Sequence, residues 1–242
     1  MNTNCNHVWE EKKNKMVCKM CGKDTLKLSA TKFDGLQVGT TDNGHSYSVR
    51  DDRSRFFFPE EWILFYDALP ERNKPIFDCL INTGARIDEA MNITPDDFTD
   101  GTKKTLTLRV TKKKAKKQER IGKKRTFVIS SQFFKRMKRY IEDNKIGPKD
   151  CLFTMTQQGV WGLLRRRLEK QEVKDWYNFS LHNIRKTHGM YLVALGVQNT
   201  EICFRLGHDM NTFLKHYGSP NIFDSKHKLL MLKILGDVYN LQ

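Results

Sequence analysis

The feature that most constrains the fold is a change in composition at residue 56. Residues 25–55 are rich in Thr, Asp, Gly and Ser, which is typical of a linker with at most one hairpin at DNGH (42–45). From Phe56 onward, apolar residues recur at the spacings of packed helices and strands. A chain of 242 residues can bury one substantial core. We therefore expect one large domain over 56–242, a linker over 25–55 and a small unit over 1–24.

The large domain is predicted to be mostly helical. PEEWILFYDAL (59–69) opens with a proline and two acids, which favour a helix start, and KPIFDCLINTGARIDEAMNI (74–93) predicts two helices broken at Thr83–Gly84. TLTLRV (105–110) and RTFVIS (125–130) predict an antiparallel hairpin across a highly charged loop. Further helices are expected over 131–143, 158–170, 181–195, 199–206, 211–217 and roughly 222–238. The expected fold class is α+β, mostly α-helical with a small antiparallel β-sheet.

The chain carries a strong positive charge. It has 43 Lys and Arg against 28 Asp and Glu, a formal net charge of +15 and a pI near 9.6. Such an excess is expected of a protein that contacts nucleic acid, because each neutralised phosphate releases counterions, although a generally lysine-rich proteome would also explain it.

No apolar run of about 18 residues occurs and the N-terminus is polar, so we expect a soluble, cytoplasmic protein. Three isolated cysteines in apolar surroundings predict buried free thiols: Cys79, Cys151 and Cys203.

Two short segments combine arginine with a second functional group. TGARIDEA contains Arg86 and, one helical turn later, Glu89, whose carboxylate can orient the helix or a neighbouring base. HNIR contains His182 and Arg185, which lie three residues apart on one helix face and can therefore converge on a single anion. Taken singly, the first segment is equally typical of a surface ion pair and the second of a surface histidine.

A third segment, LGHDMNTFLKHY, contains His208 and, nine residues later, Tyr217. The glycine before His208 can turn the chain and present the imidazole. Guanidiniums present a planar donor fork to phosphate oxygens, histidines exchange protons, and a tyrosine hydroxyl can be a nucleophile. Together the three segments supply what metal-free attack on a DNA phosphodiester requires. Tyr191 and Tyr239 are weaker candidates, because they lie within the HNIR helix and the C-terminal tail.

In this order and spacing, the three segments resemble the tyrosine recombinase (phage integrase) family over about residues 57–220. The resemblance implies a site-specific DNA recombinase or integrase that acts on double-stranded DNA as a homotetramer, through a 3′-phosphotyrosyl link and a Holliday junction. It implies no cofactor for catalysis. The catalytic residues that it implies are Arg86, Lys112, His182, Arg185, His208 and Tyr217. We expect the protein to be associated with the nucleoid and to be encoded by a mobile element.

The lysine of this set has more than one candidate in the sequence. The family has a lysine on the hairpin between the first two segments, acting as general acid to the leaving 5′ oxygen. Lys112 best matches it, but Lys113 and Lys114 are adjacent, and a shift of one residue reverses the face of a strand. In this family only the first histidine of the HNIR segment reaches the phosphate, so His188 is assigned to structure.

Alternative functions use the same residues differently. A type IB topoisomerase would relax one duplex without pairing two, and a DNA-binding regulator would leave the site unused. The amphipathic C-terminal segment, expected over 222–238, could dock onto a neighbouring protomer or pack on its own domain.

The first 24 residues resemble a zinc finger rather than anything in the recombinase family. Cys5, His7, Cys18 and Cys21 predict a tetrahedral zinc site, with the CxxC and following glycine as the metal-binding turn. A chance CxxC or a redox motif is the alternative. Most family members carry a helical, DNA-clamping domain of roughly a hundred residues ahead of the catalytic domain. Here the finger and linker, or a partner protein, would have to replace that clamp.

Overall fold

The computed structural model describes residues 9–12, 15–18, 32–33, 36–40, 46–50, 55–109, 124–217, 222–236 and 238. The chain divides into two compact units, Met1–Arg55 and Phe56–Gln242. Within the described residues, no helix combines the length and the apolar character that crossing a membrane requires.

The first unit contains short antiparallel strands. β1 (Trp9–Lys12) pairs with β2 (Lys15–Cys18), so that Trp9 lies opposite Cys18. β3 (Lys32–Phe33), β4 (Leu36–Thr40) and β5 (Ser46–Arg50) form a three-stranded sheet in that order. This sheet lies where the composition predicted a linker with at most a hairpin at 42–45. The alternation in LQVGT and SYSVR is the local signal for it.

The second unit is mostly helical with one small antiparallel sheet, which confirms the predicted fold class. Its sheet has the order β6 (Phe98–Asp100), β7 (Lys104–Arg109), β8 (Lys124–Val128), of which the sequence predicted the last two. Its helices are α1 (Pro59–Asp67), α2 (Lys74–Thr83), α3 (Ile87–Ala90), α4 (Ser131–Asp143), α5 (Gln157–Lys170), α6 (Leu181–Ala194), α7 (Asn199–Leu206), α8 (Met210–Tyr217) and α9 (Ser225–Leu235).

Local signals explain where several helices begin. α1 has Pro59 in its first turn, and Glu61 accepts a hydrogen bond of 2.9 Å from the Phe58 backbone N–H. The Ser130 hydroxyl accepts from the Phe133 N–H at 3.1 Å and caps α4. Such caps satisfy backbone donors that have no partner inside the helix, so each start is defined by its own sequence.

Helix α6 is the centre of the domain. From Asn183 to Leu192 each of its residues is buried, and it packs against α2, α5, α7, α8 and α9. Burial on all sides requires the polar residues of α6 to find partners inside the protein. Residues 183–192, which include Arg185, are therefore held in a desolvated setting.

The C-terminal helix α9 packs on its own domain. His227, Met231 and Leu235, at four-residue spacing, are its buried residues, and the helix packs against α1. The Phe223 ring, just before α9, lies 5.5 Å from that of Phe58. Of the two arrangements that the sequence left open for this segment, the structure has packing within the chain.

Candidate active site

Arg86 lies where one helix ends and a very short one begins. Gly84 follows α2 with a φ of 60°, a left-handed conformation that glycine adopts without strain. Arg86 is the N-cap of α3, and Glu89 accepts its backbone N–H at 2.9 Å and its Nη1–H at 2.9 Å. One carboxylate therefore holds both the backbone and the guanidinium of Arg86, whose side chain remains 26% exposed.

Arg185 is buried on the central helix and connects three segments of the chain. Its Nη1 donates to the Gly84 carbonyl at 2.6 Å, and its Nη2 donates to the Leu206 carbonyl and lies 3.3 Å from His208 Nε2. Burial, together with the charge of Arg86, lowers the pKa of Arg185 to about 9, against opposing contributions from Tyr217 and Glu89. The guanidinium thus keeps its proton at neutral pH and supplies a fixed, desolvated positive charge.

His208 follows the end of α7. Gly207 has a φ of 58° and turns the chain out of that helix, so that the His208 imidazole meets Arg185. The ring is partly buried, and its centroid lies 6.2 Å from that of Tyr217. The glycine before His208 therefore has the role that the sequence predicted.

Tyr217 ends α8, and its side chain is only 3% exposed. The ring packs against Gly189 of α6, where an added methyl group would lie 2.5 Å from Cε1. The Phe213 ring lies 5.4 Å from it on the same helix. Because Gly189 is one helical turn after Arg185, the phenol lies beside the buried guanidinium, and it is among the groups that influence the pKa of Arg185.

A third arginine, Arg125 on β8, belongs to this cluster and was not predicted from the sequence. Its Nη1 and Nη2 donate to the two oxygens of Glu89 at 3.2 and 2.9 Å. The strand alternates, with Arg125 and Phe127 buried and Lys124 and Thr126 exposed. The segment RTFVIS predicts a strand, and side chains two residues apart on a strand lie on the same face, so Arg125 and Phe127 share a face.

These side chains can together bind and attack a phosphodiester. The Arg86 and Arg185 forks and the His208 imidazole can donate to phosphate oxygens, and the Tyr217 hydroxyl can act as nucleophile. Arg86 is half-buried while Arg185 is fully enclosed, so Arg86 is the guanidinium that is more accessible to an incoming anion. The arrangement is suited to stabilising negative charge that develops at one phosphorus.

Comparison with known families identifies the large domain. Residues 59–221 match the model of the phage integrase family. The chain belongs to this family. The match spans all three motifs, from Arg86 to Tyr217, so family membership and side-chain geometry rest on the same part of the chain.

Solved structures of recombinases share the fold. The XerH site-specific recombinase bound to difH substrate matches with 18% identity and a TM-score of 0.55 over 71% of this chain and 51% of that chain. XerA recombinase matches with 18% identity and a TM-score of 0.54, covering 74% and 64%. The Tn1549 transposon integrase with transposon right end DNA matches with 18% identity and a TM-score of 0.53, covering 74% and 65%. The chain thus spans about half to two thirds of their lengths, and no curated protein gave a significant match.

Of the two remaining residues predicted to be catalytic, the structure describes His182 but not Lys112. His182 lies in the first turn of α6, one turn before Arg185, and its side chain is exposed. Lys112 lies in the segment 110–123, outside the described residues, as do its neighbours Lys113 and Lys114. His188, assigned to structure, is buried, and its Nδ1 lies 2.7 Å from the Ile81 carbonyl.

Most of the predicted zinc ligands lie outside the described residues. Cys5, His7 and Cys21 fall outside the described residues, and Cys18 is described only as the end of β2. Among the residues with described side chains, no group of three or more His, Cys, Asp or Glu could hold a metal ion. The zinc finger therefore stays a prediction.

One cysteine expectation was wrong. Cys79 and Cys203 are buried free thiols as predicted, whereas Cys151 is exposed. The turn closed by the Asp150 N–H and the Gly147 carbonyl brings Cys151 to the surface. The next residue, Leu152, instead pairs with the Ile93 carbonyl and is buried, so the apolar neighbourhood in sequence did not extend to Cys151 itself.

Proposed function

We propose that the protein is a site-specific DNA recombinase that cleaves and rejoins strands through a 3′-phosphotyrosyl intermediate. The observation that carries the proposal is the position of the Tyr217 phenol beside the contact between Arg185 and His208, where the charge of Arg86 also acts on Arg185. Membership of the phage integrase family supports the same chemistry.

The Tyr217 oxygen attacks phosphorus, the bond from phosphorus to the 5′ oxygen breaks, and the tyrosine becomes linked to the 3′ phosphate. Arg86, Arg185 and His208 stabilise the extra negative charge of the transition state. The proton of the phenol passes to His182 or to solvent, and a hairpin lysine, Lys112, supplies the proton that the leaving 5′ oxygen takes up. The covalent link conserves the energy of the broken ester, so that a 5′ hydroxyl can reverse the step without a cofactor.

The same step serves different outcomes. We propose that four protomers on double-stranded DNA exchange strands through a Holliday junction, in association with the nucleoid and as part of a mobile element. A topoisomerase of type IB would instead reseal the same duplex, and a regulator would bind without cleaving. The similar structures of a recombinase bound to its substrate and of a transposon integrase with transposon DNA favour recombination.

Covalent capture tests the chemistry without knowledge of the DNA site. A library of nicked duplexes with a randomised centre is incubated with the protein in EDTA, and adducts that survive denaturation are recovered and sequenced. We expect adducts with the wild type and none with Tyr217→Phe, at unchanged DNA affinity. The matched control is Tyr140→Phe, whose hydroxyl donates to the Leu152 carbonyl on another part of the domain. Adducts that persist in Tyr217→Phe would refute the proposed nucleophile.

The recovered duplex then separates recombinase from topoisomerase. Two labelled copies of it should give recombinant products and a four-way intermediate, together with a protein–DNA complex of four chains by mass photometry. Relaxation of supercoiled plasmid by single protomers, with no recombinant product, would favour the topoisomerase.

We also propose a zinc-bound finger over residues 1–24, a linker over 25–55 and a catalytic domain over 56–242. The register of the β1–β2 hairpin supports the finger, because the chain before Trp9 and the chain after Cys18 leave from the same end of the hairpin. Cys5 and His7 precede that point and Cys21 follows it. We expect one zinc per purified full-length chain, lost in Cys18→Ser and retained in Cys151→Ser. Equal zinc contents in the two variants would exclude this ligand set.

A further inference from the structure

The terminal nitrogens of Arg125 are bound inside the protein. Both of its terminal nitrogens donate to Glu89, and its side chain is only 9% exposed. Its Nε is buried and has no hydrogen-bond partner among the residues that the structure describes. Both terminal nitrogens of Arg125 bind one buried carboxylate, so its side chain acts on Glu89 and is less open to solvent than that of Arg86, which is 26% exposed.

Glu89 is the carboxylate through which Arg125 reaches the arginines. Besides Arg125, it binds the backbone and Nη1 of Arg86, and its Oε2 lies 4.0 Å from Arg185 Nη1. Burial raises the pKa of Glu89, but the hydrogen bonds and charge of Arg125, with those of Arg86, outweigh burial and hold that pKa below its usual range. Glu89 is therefore a buried anion whose charge is balanced chiefly by Arg125.

Arg125 also lies against the segment that carries His208. A methyl group added at Gly207 would be 2.9 Å from Arg125 Nη1 and 3.3 Å from its Cζ. The guanidinium thus fills the space beside the left-handed turn that presents the imidazole. One side chain is in contact with the first motif through Glu89 and with the third through Gly207.

The strand of Arg125 adds a third connection. Arg125 lies directly opposite Leu108 in the β7–β8 pair, and the residues that connect the two strands include Lys112. A fixed register at Arg125 therefore also fixes where the hairpin leaves the domain.

We propose that Arg125 is a positioning residue for strand cleavage: by holding Glu89 and the Gly207 turn, it keeps the Arg86 fork and the His208 ring aligned on the scissile phosphate. This inference rests on the proposed function. Its expected signature is a slower chemical step at normal DNA affinity, because a misplacement of about 1 Å can reduce a rate about 100-fold.

The test measures single-turnover adduct formation on the duplex recovered by covalent capture, with protein in excess and well below its melting temperature. The variants are Arg125→Met, which removes the charge, and Arg125→Lys, which keeps the charge but loses the two-pronged geometry. The matched control is Arg109→Met on the neighbouring strand, because Arg109 forms a similar pair with Asp97, with Nη2–Oδ1 at 2.6 Å, and that carboxylate bonds the Thr94 N–H instead of an active-site arginine.

The rate constant and the amplitude distinguish positioning from folding. We expect the rate constant to fall about 100-fold in Arg125→Met and about 10-fold in Arg125→Lys, with the DNA dissociation constant within about twofold of the wild type. Arg109→Met should keep the wild-type rate constant. A loss of amplitude alone, or an unchanged rate constant in Arg125→Lys, would overturn the inference while leaving the proposed function intact. Absence of adducts in the wild type itself would overturn both.

Discussion

Substitution of Gly189 by alanine should displace the nucleophile without touching any group that carries charge. Gly189 lies within α6, four residues after Arg185, and the Tyr217 ring occupies the space where a side chain would be. A methyl group there would lie 2.5 Å from Tyr217 Cε1, 2.8 Å from Cζ and 3.1 Å from Leu206 Cδ1. Carbon atoms in contact are normally about 3.5–4.0 Å apart, so the ring has to move by about 1 Å.

Two opposing effects set the change in stability. Alanine is favoured over glycine inside a helix by about 1 kcal/mol, whereas inserting a methyl group into a packed site costs about 1–3 kcal/mol. The free energy of unfolding should therefore fall by about 0–2 kcal/mol. Cleavage should suffer far more, because a shift of about 1 Å in the attacking phenol is expected to slow adduct formation by about 100-fold.

The assay is single-turnover adduct formation on the captured duplex, alongside thermal unfolding and DNA binding. The control is Gly162→Ala in α5, where the nearest atom to an added methyl group is Arg166 Nη1 at 3.3 Å, the far end of a flexible side chain. Gly162→Ala should be neutral or stabilising and fully active. A wild-type cleavage rate in Gly189→Ala would mean that the packed position of Tyr217 is not the one from which it attacks, and would refute the reasoning.

Two further predictions concern stability. Burial lowers the pKa of His188 to about 3, so between about pH 3 and 6.5 the unfolded chain binds a proton that the folded chain does not. The free energy of unfolding, measured by urea titration, should therefore fall by about 2 kcal/mol from pH 7 to pH 5. The variant His188→Asn should lose most of this pH dependence. In the protein, Arg136 Nε lies 2.6 Å from Asp78 Oδ2. The variant Arg136→Met leaves this buried carboxylate without its guanidinium partner and should lower the free energy of unfolding by about 3–5 kcal/mol at pH 7. Burial already raises the pKa of Asp78, so this loss should shrink on acidification to pH 5, and a pH-independent loss would contradict the assignment.

Much of the candidate site could be predicted because its signals are local. The spacing of His182 and Arg185 requires only a helix, and the caps at Ser130 and Glu61 mark where helices begin. The alternation in RTFVIS predicted a strand for the same reason. Family resemblance added the order of the three motifs and the nine-residue interval between His208 and Tyr217.

The neighbours of these residues could not be predicted in that way. Arg125 and Glu89 are 36 positions apart, and Arg185 and the Gly84 carbonyl are 101 apart. Cys151 illustrates the same limit, because its apolar neighbours in sequence did not decide on which side of a turn it would lie.

The mostly helical fold class, the positive charge, the three motifs and the residue types of the proposed chemistry could thus be inferred from the sequence alone. The folded arrangement was needed to show that Arg125 balances Glu89, that Tyr217 packs against Gly189 and that α9 packs on its own domain. The physical reason is that periodicity and capping act within a few residues along the chain, whereas a buried charge or ring takes its partner from whichever elements the whole core brings together.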